Sequence, residues 1–268
     1  MWAALEEARG AHARRELRRE RCTGEDLQRI IRGADLRTLF QPVVDLGTGA
    51  VVGFEAFSRG PESSAFEQPL ALFAESDRLG LAIELDHACR DAALSACPPL
   101  GNGRKIFLNA LPASFRELPE DPGSWPARLG KLADSAGATV LEFSERKAEA
   151  DPQAFVETLR RVKAAGFGVA VDDLGTGFSS QAILDRLRPD YLKLDVSLVR
   201  RIEGSLIKQE ILRTLVRIAE SIGASVIAEG IETEEESRAL AEAGARFGQG
   251  HLFARPAAWI GEVGGRVP

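Results

Sequence analysis

The segment Ala170–Ser180, with the sequence AVDDLGTGFSS, contains the pattern from which the fold of this chain is most directly inferred. An apolar run ends there at two adjacent carboxylates, Asp172 and Asp173, and a loop with two glycines leads into a helix that Ser179 or Ser180 would cap. At a strand end, where the chain turns, both carboxylates can reach one site from different directions. Two such charges are costly together unless a cation lies between them or one binds a proton. The alternative is an ordinary strand-to-helix turn in which Asp173 makes turn hydrogen bonds.

A similar alternation of strand and helix recurs along most of the chain. Strands are predicted at residues 39–45, 51–57, 105–109, 139–143, 168–172, 191–194, 225–229 and 245–249. Helices are predicted at residues 69–79, 81–96, 152–165, 179–187, 207–222 and 233–243. The short turn at residues 47–49 implies an antiparallel hairpin, whereas strands alternating with helices pair in parallel. The pattern predicts an α/β fold, a TIM-like (β/α)8 barrel whose first strand is antiparallel and which an N-terminal helix precedes.

The length of the chain fits one α/β barrel domain, and it would also fit two small domains. Its 268 residues are 44% hydrophobic, which is enough for one sizeable core. Residues 1–35 have a charged, helical pattern and are interpreted as a leader or linker helix. This helix would connect to an upstream domain, take part in dimerisation or lie solvated on the surface. Residues 36–268 form the predicted barrel domain.

Composition argues against several classes of partner. The net charge of -6 and the pI of about 5.3 disfavour binding of a nucleic-acid polymer, but they leave room for a small anionic ligand. Cys22, Cys89 and Cys97 form no CxxC pair, which favours a reducing, cytoplasmic compartment. No apolar run approaches the length of a membrane span, and the N-terminus lacks the apolar core of a signal peptide.

Polar side chains lie at or near the end of most predicted strands. They are Glu55, Asn109, Glu142, Asp172, Asp173, Lys193, Glu229 and Gln249. Each one alone has a structural explanation, such as a solvent-exposed strand position, a cap or a turn. Barrel enzymes, however, collect their catalytic groups at the C-terminal ends of the strands, so the recurrence predicts one shared site.

Several converging acids need cations, because buried carboxylates require partners. The candidate ligands are carboxylate and amide oxygens, with no His or Cys among them, which favours Mg²⁺ or Mn²⁺ over zinc or copper. Two ions bridged by one carboxylate would suit a phosphoryl displacement. Among acids Lys193 would stay protonated, so it would orient the attacking water or stabilise developing charge and would not act as the base.

These motifs together resemble the EAL domain family of cyclic di-GMP phosphodiesterases, over residues 36–256. The matching pieces are FQP at 40–42, GFEAFSR at 53–59, LN at 108–109, LEFSE at 141–145, VDDLGTG at 171–177, DYLKLD at 190–195, AEGIET at 228–233 and GQG at 248–250. The resemblance implies a bacterial signalling enzyme that hydrolyses one phosphodiester bond of cyclic di-GMP to linear pGpG.

The resemblance also implies a role for each matching residue. The metal ligands would be Glu55, Asn109, Glu142 and Asp172 on the first ion, with Asp172 bridging to a second ion held by Asp173 and Glu229. Catalysis would involve Lys193, Glu229 and Glu55, with Lys193 acting on the nucleophilic water. Glu145 would stabilise the loop of residues 173–177. Substrate would meet Arg59, Phe57, Gln41, Gln249 and Glu232, with the planar fork of Arg59 suited to phosphate.

Two departures from the family pattern fall just beside this site. Phe57 stands where the family has Leu in its signature tripeptide, and overpacking by a larger side chain typically costs about 1–3 kcal/mol. Gly60 stands where the family often has a bulky residue.

Two alternatives to the hydrolase remain open at this stage. The first is a catalytically weak or inactive cyclic di-GMP receptor, which would need Arg59 and the pocket but not two metals. The second is a Mg²⁺-dependent barrel lyase with one metal and a lysine base, which the adjacent aspartates disfavour. The resemblance further implies a homodimer, and a sensor or GGDEF domain upstream in a longer parent protein.

Overall fold

The computed structural model describes residues 24–258 except 34, 102, 117, 119–130, 145–150 and 175–185. Its centre is a closed barrel with the strand order β1-β2-β3-β4-β5-β6-β7-β8. The strands are β1 Arg37–Asp45, β2 Val51–Arg59, β3 Lys105–Asn109, β4 Thr139–Ser144, β5 Gly168–Leu174, β6 Tyr191–Leu194, β7 Ser225–Ala228 and β8 Phe247–Gly248. The predicted α/β barrel is confirmed, with strand ends within a few residues of those expected from the sequence.

The first strand runs against both of its neighbours. β1 pairs antiparallel with β2 and with β8, and every other neighbouring pair is parallel. The reversal comes from the tight turn after β1, where Asp45 Oδ1 accepts hydrogen bonds from the backbone N–H groups of Gly47 and Thr48. Because β1 is reversed, its N-terminal half lies at the end of the barrel where the other strands finish.

Helices cover the outside of the barrel. They are α1 at residues 24–33, α2 Pro69–Leu79, α3 Ala82–Ala96, α4 Ala113–Arg116, α5 Lys131–Asp134, α6 Pro152–Ala164, α7 Val196–Val199, α8 Leu206–Ile222 and α9 Glu234–Glu242, numbered along the described residues. Side chains of Asp151, Ser205 and Thr233 cap the N-termini of α6, α8 and α9. Of the predicted leader helix, residues 24–33 are helical and residues 1–23 lie outside the described part. No helix in the described ranges is long and apolar enough to cross a membrane.

The barrel interior has an apolar floor. The floor is a buried cluster of Val43, Phe107, Val140, Ala170, Ile227 and Phe247. A larger apolar cluster lies between the strands and the surrounding helices. Side chains two residues apart on a strand share a face, so the next inward position toward the barrel mouth lies directly above this floor. That layer is where the sequence has its polar residues.

Candidate active site

A polar layer covers the apolar floor at the C-terminal mouth of the barrel. Its members are Gln41, Glu55, Asn109, Glu142, Asp172, Lys193, Glu229 and Gln249. Each lies two residues from a floor position or from the inward-facing Tyr191, except Glu55, which lies two residues from Gly53. Glu55, Glu142, Lys193 and Gln249 are almost completely buried. The structure therefore brings together the residues that the sequence predicted to converge, apart from Asp173, whose side chain is not among the described ones.

Lys193 is the common partner of three carboxylates in this layer. Its Nζ lies 3.0 Å from Glu55 Oε2, 2.8 Å from Glu142 Oε1 and 2.5 Å from Glu229 Oε1. Burial acts to lower the pKa of Lys193, but the three carboxylates outweigh it and raise that pKa well above its ordinary value. The lysine is therefore an ammonium at any physiological pH, which agrees with the charge state expected from the sequence.

Glu55 is held by hydrogen bonds from several strands. Asn109 Nδ2 donates to its Oε1 at 3.1 Å, and Gln249 Nε2 donates to its Oε2 at 2.9 Å. Gln249 Nε2 also donates to Gln41 Oε1 at 2.9 Å. Burial raises the pKa of Glu55, but Lys193 and these donors reverse the effect, and the net shift is downward. Glu55 is thus an ionised carboxylate in a fixed orientation.

Glu142 is in the opposite situation. It is 1% exposed, and neither of its oxygens receives a hydrogen bond of acceptable geometry from the described residues. Burial, followed by repulsion from Glu55, raises its pKa well above the ordinary value despite Lys193. Gln249 Oε1 is likewise buried without a donor among these residues. Oxygens of this kind are rare in folded proteins, and a bound ion or water would satisfy them.

These oxygens suit a hard divalent cation. Glu55, Glu142, Asp172 and Glu229 supply carboxylates, Asn109 supplies an amide, and all of them line the same cavity. In the described part of the chain, no three Asp, Glu, His or Cys side chains are arranged to hold an ion as they stand. In this arrangement the Lys193 ammonium lies between three of the acids and offsets part of their negative charge. Ion binding would require this ammonium to shift.

Glu229 gives this site a testable pH dependence. Burial is the main cause that raises the pKa of Glu229 to about 7. Since the unfolded pKa is lower, the folded state is increasingly penalised as pH rises from about 4.5 to about 7, and the penalty is complete above pH 7. We expect metal-free Glu229→Gln to be more stable than the wild type at pH 8, by on the order of 2 kcal/mol after allowance for its partial exposure. This difference should vanish near pH 4.5 in thermal unfolding; a constant difference across that range would contradict the assignment.

The polar layer opens into a cavity of about 590 Å³. Phe57 and Arg59 of β2 line it, and so does Glu232 of the loop after β7. Arg59 is partly buried, and this burial, helped by the positive charge of Arg37, lowers its pKa, though the side chain stays charged. Glu232 is exposed at the mouth and pairs with Arg200 at 2.5 Å. Glu145 and the glycine-containing loop at residues 175–180 lie outside the described residues.

One wall of the cavity was not foreseen from the sequence. It is formed by α2 and α3, whose lining residues include Phe73, Asp86 and Arg90. The Asp86 carboxylate accepts hydrogen bonds from Arg90, from Ser114 Oγ and, at 3.0 Å, from the backbone N–H of Leu111. This buried cluster ties α3 to the segment after Asn109. The only local sequence signal for it is the i,i+4 spacing of an acid and an arginine on one helix.

Comparison with known proteins assigns this closed barrel to one class, the EAL domains. The chain matches the EAL domain family over residues 24–256 and belongs to that family. Cyclic di-GMP phosphodiesterase PA2567 of Pseudomonas aeruginosa is 33% identical over 81% of this chain. A protein of Azorhizobium caulinodans is 34% identical over 98% of it. The chain spans only 38% and 36% of the lengths of these relatives.

A solved structure with the same fold is Klebsiella pneumoniae BlrP1. Its complex with calcium and cyclic di-GMP has a TM-score of 0.73 and 33% identity, covering 85% of this chain and 57% of that one. Its complex with manganese and cyclic di-GMP has a TM-score of 0.71 and 32% identity, covering 83% of this chain and 56% of that one. The family resemblance inferred from the sequence is thereby confirmed.

Proposed function

We propose that this chain hydrolyses one phosphodiester bond of cyclic di-GMP to linear pGpG with the help of two divalent ions, Mg²⁺ or Mn²⁺. The observation that carries the proposal is the buried layer of acids around Lys193, which faces a cavity of about 590 Å³. A cavity of this size is within the usual range of about 300–1,000 Å³ for small-molecule sites. Similarity to PA2567 and to BlrP1 supports this substrate and a divalent metal.

The ligands proposed for the ions follow the polar layer. Glu55, Asn109, Glu142 and Asp172 would hold the first, while Asp172, Asp173 and Glu229 would hold the second. Bound ions supply Lewis-acid stabilisation of the attacking and leaving oxygens of a phosphoryl displacement. Asn109 can serve through its Oδ1, because its Nδ2 is already committed to Glu55.

The protein's own groups divide the remaining work. Lys193 keeps its proton, so its Nζ orients the attacking water and stabilises negative charge developing on the phosphate. Glu229, which pairs with Lys193 Nζ at 2.5 Å, would place its carboxylate beside that water. Arg59 would bind a phosphate of the substrate through its planar fork of donors. Gln249 donates both to Glu55 and to Gln41, and the two glutamines form part of the cavity wall.

Product analysis with defined metals tests this proposal. Metal-stripped protein is incubated with cyclic di-GMP plus Mg²⁺, Mn²⁺, Ca²⁺ or chelator, and the nucleotides are separated by chromatography. We expect pGpG with Mg²⁺ or Mn²⁺, none with chelator, and inhibition by Ca²⁺, whose looser coordination fits poorly at sites shaped for smaller ions. Glu234→Gln, at an exposed position on α9, is the matched control for loss of one carboxylate. Tight binding without product would instead establish a cyclic di-GMP receptor.

Phe57 is expected to tune the rate only modestly. Its side chain is partly exposed and lines the cavity two residues from Glu55 on the same strand. We expect Phe57→Leu to change kcat by less than about tenfold, which corresponds to under about 1.4 kcal/mol, and to leave substrate affinity nearly unchanged. Steady-state kinetics checks this. A much larger gain in rate would mean that Phe57 holds the natural protein in a sensing rather than a hydrolysing state.

We also propose that the chain forms a homodimer through the outer face of α8. Ile207, Ile211 and Ile218 form one stripe on that helix, and Leu206 and Ile207 are 78% and 75% exposed. A self-complementary apolar stripe suits a two-fold interface with a second copy. We expect Ile207→Asp to shift sedimentation from dimer to monomer without lowering the unfolding temperature of the barrel. A monomeric wild type at micromolar concentration would contradict this. We further propose that a sensor or GGDEF domain lies upstream in a longer parent protein. The chain spans less than half the length of the relatives named above, which leaves room for such a domain.

A further inference from the structure

Glu236 is a buried carboxylate that the proposed mechanism does not use. It lies in the first turn of α9 and is 2% exposed. Thr233 caps this helix by accepting the backbone N–H of Glu236 at 3.1 Å. A Thr-x-x-Glu sequence at a helix start is typical of a capping box, in which the glutamate bonds back to the N–H of the capping threonine. Here the carboxylate interacts with the backbone of Thr233 and also binds beyond the start of the helix.

The Glu236 carboxylate bridges two loops. Its Oε2 accepts the backbone N–H of Glu232 at 2.9 Å, and its Oε1 accepts the backbone N–H of Arg201, also at 2.9 Å. Glu232 belongs to the loop after β7, and Arg201 to the turn after α7, which follows β6. Burial raises the pKa of Glu236, but these backbone donors outweigh burial and the net shift is downward. The bridge is therefore a charge-assisted one.

The same two loops interlock at other points. Gly230 has φ +69°, and a Cβ at this position would lie 2.7 Å from Val196 Cγ2, so the loops touch with no room for a side chain. Arg200 pairs with Glu232 at 2.5 Å at the surface. The β6 strand carries Lys193, and Glu229 follows β7 directly. The parallel pairing of β6 with β7 brings Lys193 and Glu229 side by side, and the contacts that join the loops add a second constraint on their 2.5 Å ion pair.

We propose that Glu236 is a positioning residue that fixes Glu229 against Lys193 by tying the loop after β7 to the turn after α7. Glu236 touches neither the polar layer nor the cavity, so it acts through the backbone of residues 229–232. The carboxylate is required because each of its two oxygens accepts a backbone N–H group. A glutamine side chain has only one oxygen, so its NH2 group would face one of these backbone N–H donors, and that hydrogen bond would be lost. The expected effect of Glu236 on turnover rests on the proposed function, whereas its expected effect on the loop after β7 does not.

Three single variants and one double variant test the role. Glu236→Gln is nearly isosteric, Glu236→Asp keeps the charge, and Glu235→Gln is the matched control, since Glu235 is exposed in the same helical turn. With Mn²⁺ and cyclic di-GMP we expect Glu236→Gln to lower kcat about tenfold or more, equivalent to about 1.4 kcal/mol, with KM nearly unchanged and Glu235→Gln silent. Combined with Glu229→Gln, it should cause little further loss, because groups that act as one unit are not additive. Additive losses would overturn the assignment.

A second readout needs no turnover. Hydrogen exchange of the metal-free protein should be at least about tenfold faster at residues 229–232 in Glu236→Gln than in the wild type or Glu235→Gln. Partial recovery of slow exchange in Glu236→Asp would show that the charge matters. Unchanged exchange in Glu236→Gln would overturn the proposal even if catalysis is confirmed. If the wild type makes no pGpG, the proposed function fails, and exchange alone decides the role of Glu236.

Discussion

Replacing Lys193 with alanine is expected to lower turnover of cyclic di-GMP by about 10²–10⁴-fold, the usual range for a group that assists proton transfer at the reacting centre. Substrate affinity should change little, because Arg59 and the cavity wall remain. The ammonium lies within 3.0 Å of three carboxylates, so its removal also leaves those charges without their cation. In metal-free protein we expect a destabilisation of about 3–5 kcal/mol, as is typical when one partner of a buried ion pair is removed.

Divalent ions should recover most of that stability in the Lys193 variant, since they replace the missing positive charge. Thermal unfolding with and without Mn²⁺, together with steady-state kinetics, measures both effects. Lys193→Met is a second variant that fills the space and guards against a folding failure, and Lys131→Ala removes an exposed lysine as the control. Wild-type turnover in folded Lys193→Met would remove this residue from the mechanism.

Replacing Glu142 with glutamine is expected to change stability and activity in opposite directions. Glu142 is buried, its pKa is raised, and its oxygens lack hydrogen bonds from the described residues. An amide avoids the cost of burying that charge, so we expect metal-free Glu142→Gln to gain about 1–2 kcal/mol at neutral pH. Loss of a proposed metal ligand should at the same time lower turnover by about 10²-fold or more, as expected when a central electrostatic stabiliser is removed. Sites that are strained for function commonly show this trade-off.

Thermal unfolding of the metal-free protein and Mn²⁺ titration by calorimetry provide the two measurements for Glu142. The matched control is Glu157→Gln, at an exposed position on α6 outside the cavity lining. A loss of metal-free stability in Glu142→Gln would show that the ion pair with Lys193 stabilises the fold by more than the burial of the Glu142 charge costs. Unchanged Mn²⁺ affinity would remove Glu142 from the metal site.

The sequence was sufficient for the barrel and for the position of the site. Strand periodicity places residues two apart on the same face, so polar residues such as Glu142 and Asp172 can be assigned to the layer above Val140 and Ala170. The reversed first strand followed from the tight turn after Asp45. These features are local, and local patterns are what a single sequence contains most directly.

Contacts between distant segments could not be read in the same way. The sequence placed metals between the acids, but it did not reveal that Lys193 lies between three of them. Glu236 follows a local capping pattern, yet it binds the backbone N–H of Arg201, 35 residues away. Gly60 departs from the family pattern because a Cβ there would lie 2.2 Å from the carbonyl oxygen of Phe66. Each of these contacts, of Lys193, Glu236 and Gly60, depends on how distant segments pack once the barrel has closed.

Anomalous diffraction from crystals grown with Mn²⁺ and cyclic di-GMP tests the central claim most directly. The account predicts two manganese peaks at the barrel mouth, bridged by Asp172, with Glu55 and Glu142 on one ion and the Lys193 ammonium displaced from between the acids. A single peak elsewhere, or no peak while Lys193 keeps its three ion pairs beside bound cyclic di-GMP, would contradict a two-ion hydrolase and support a receptor.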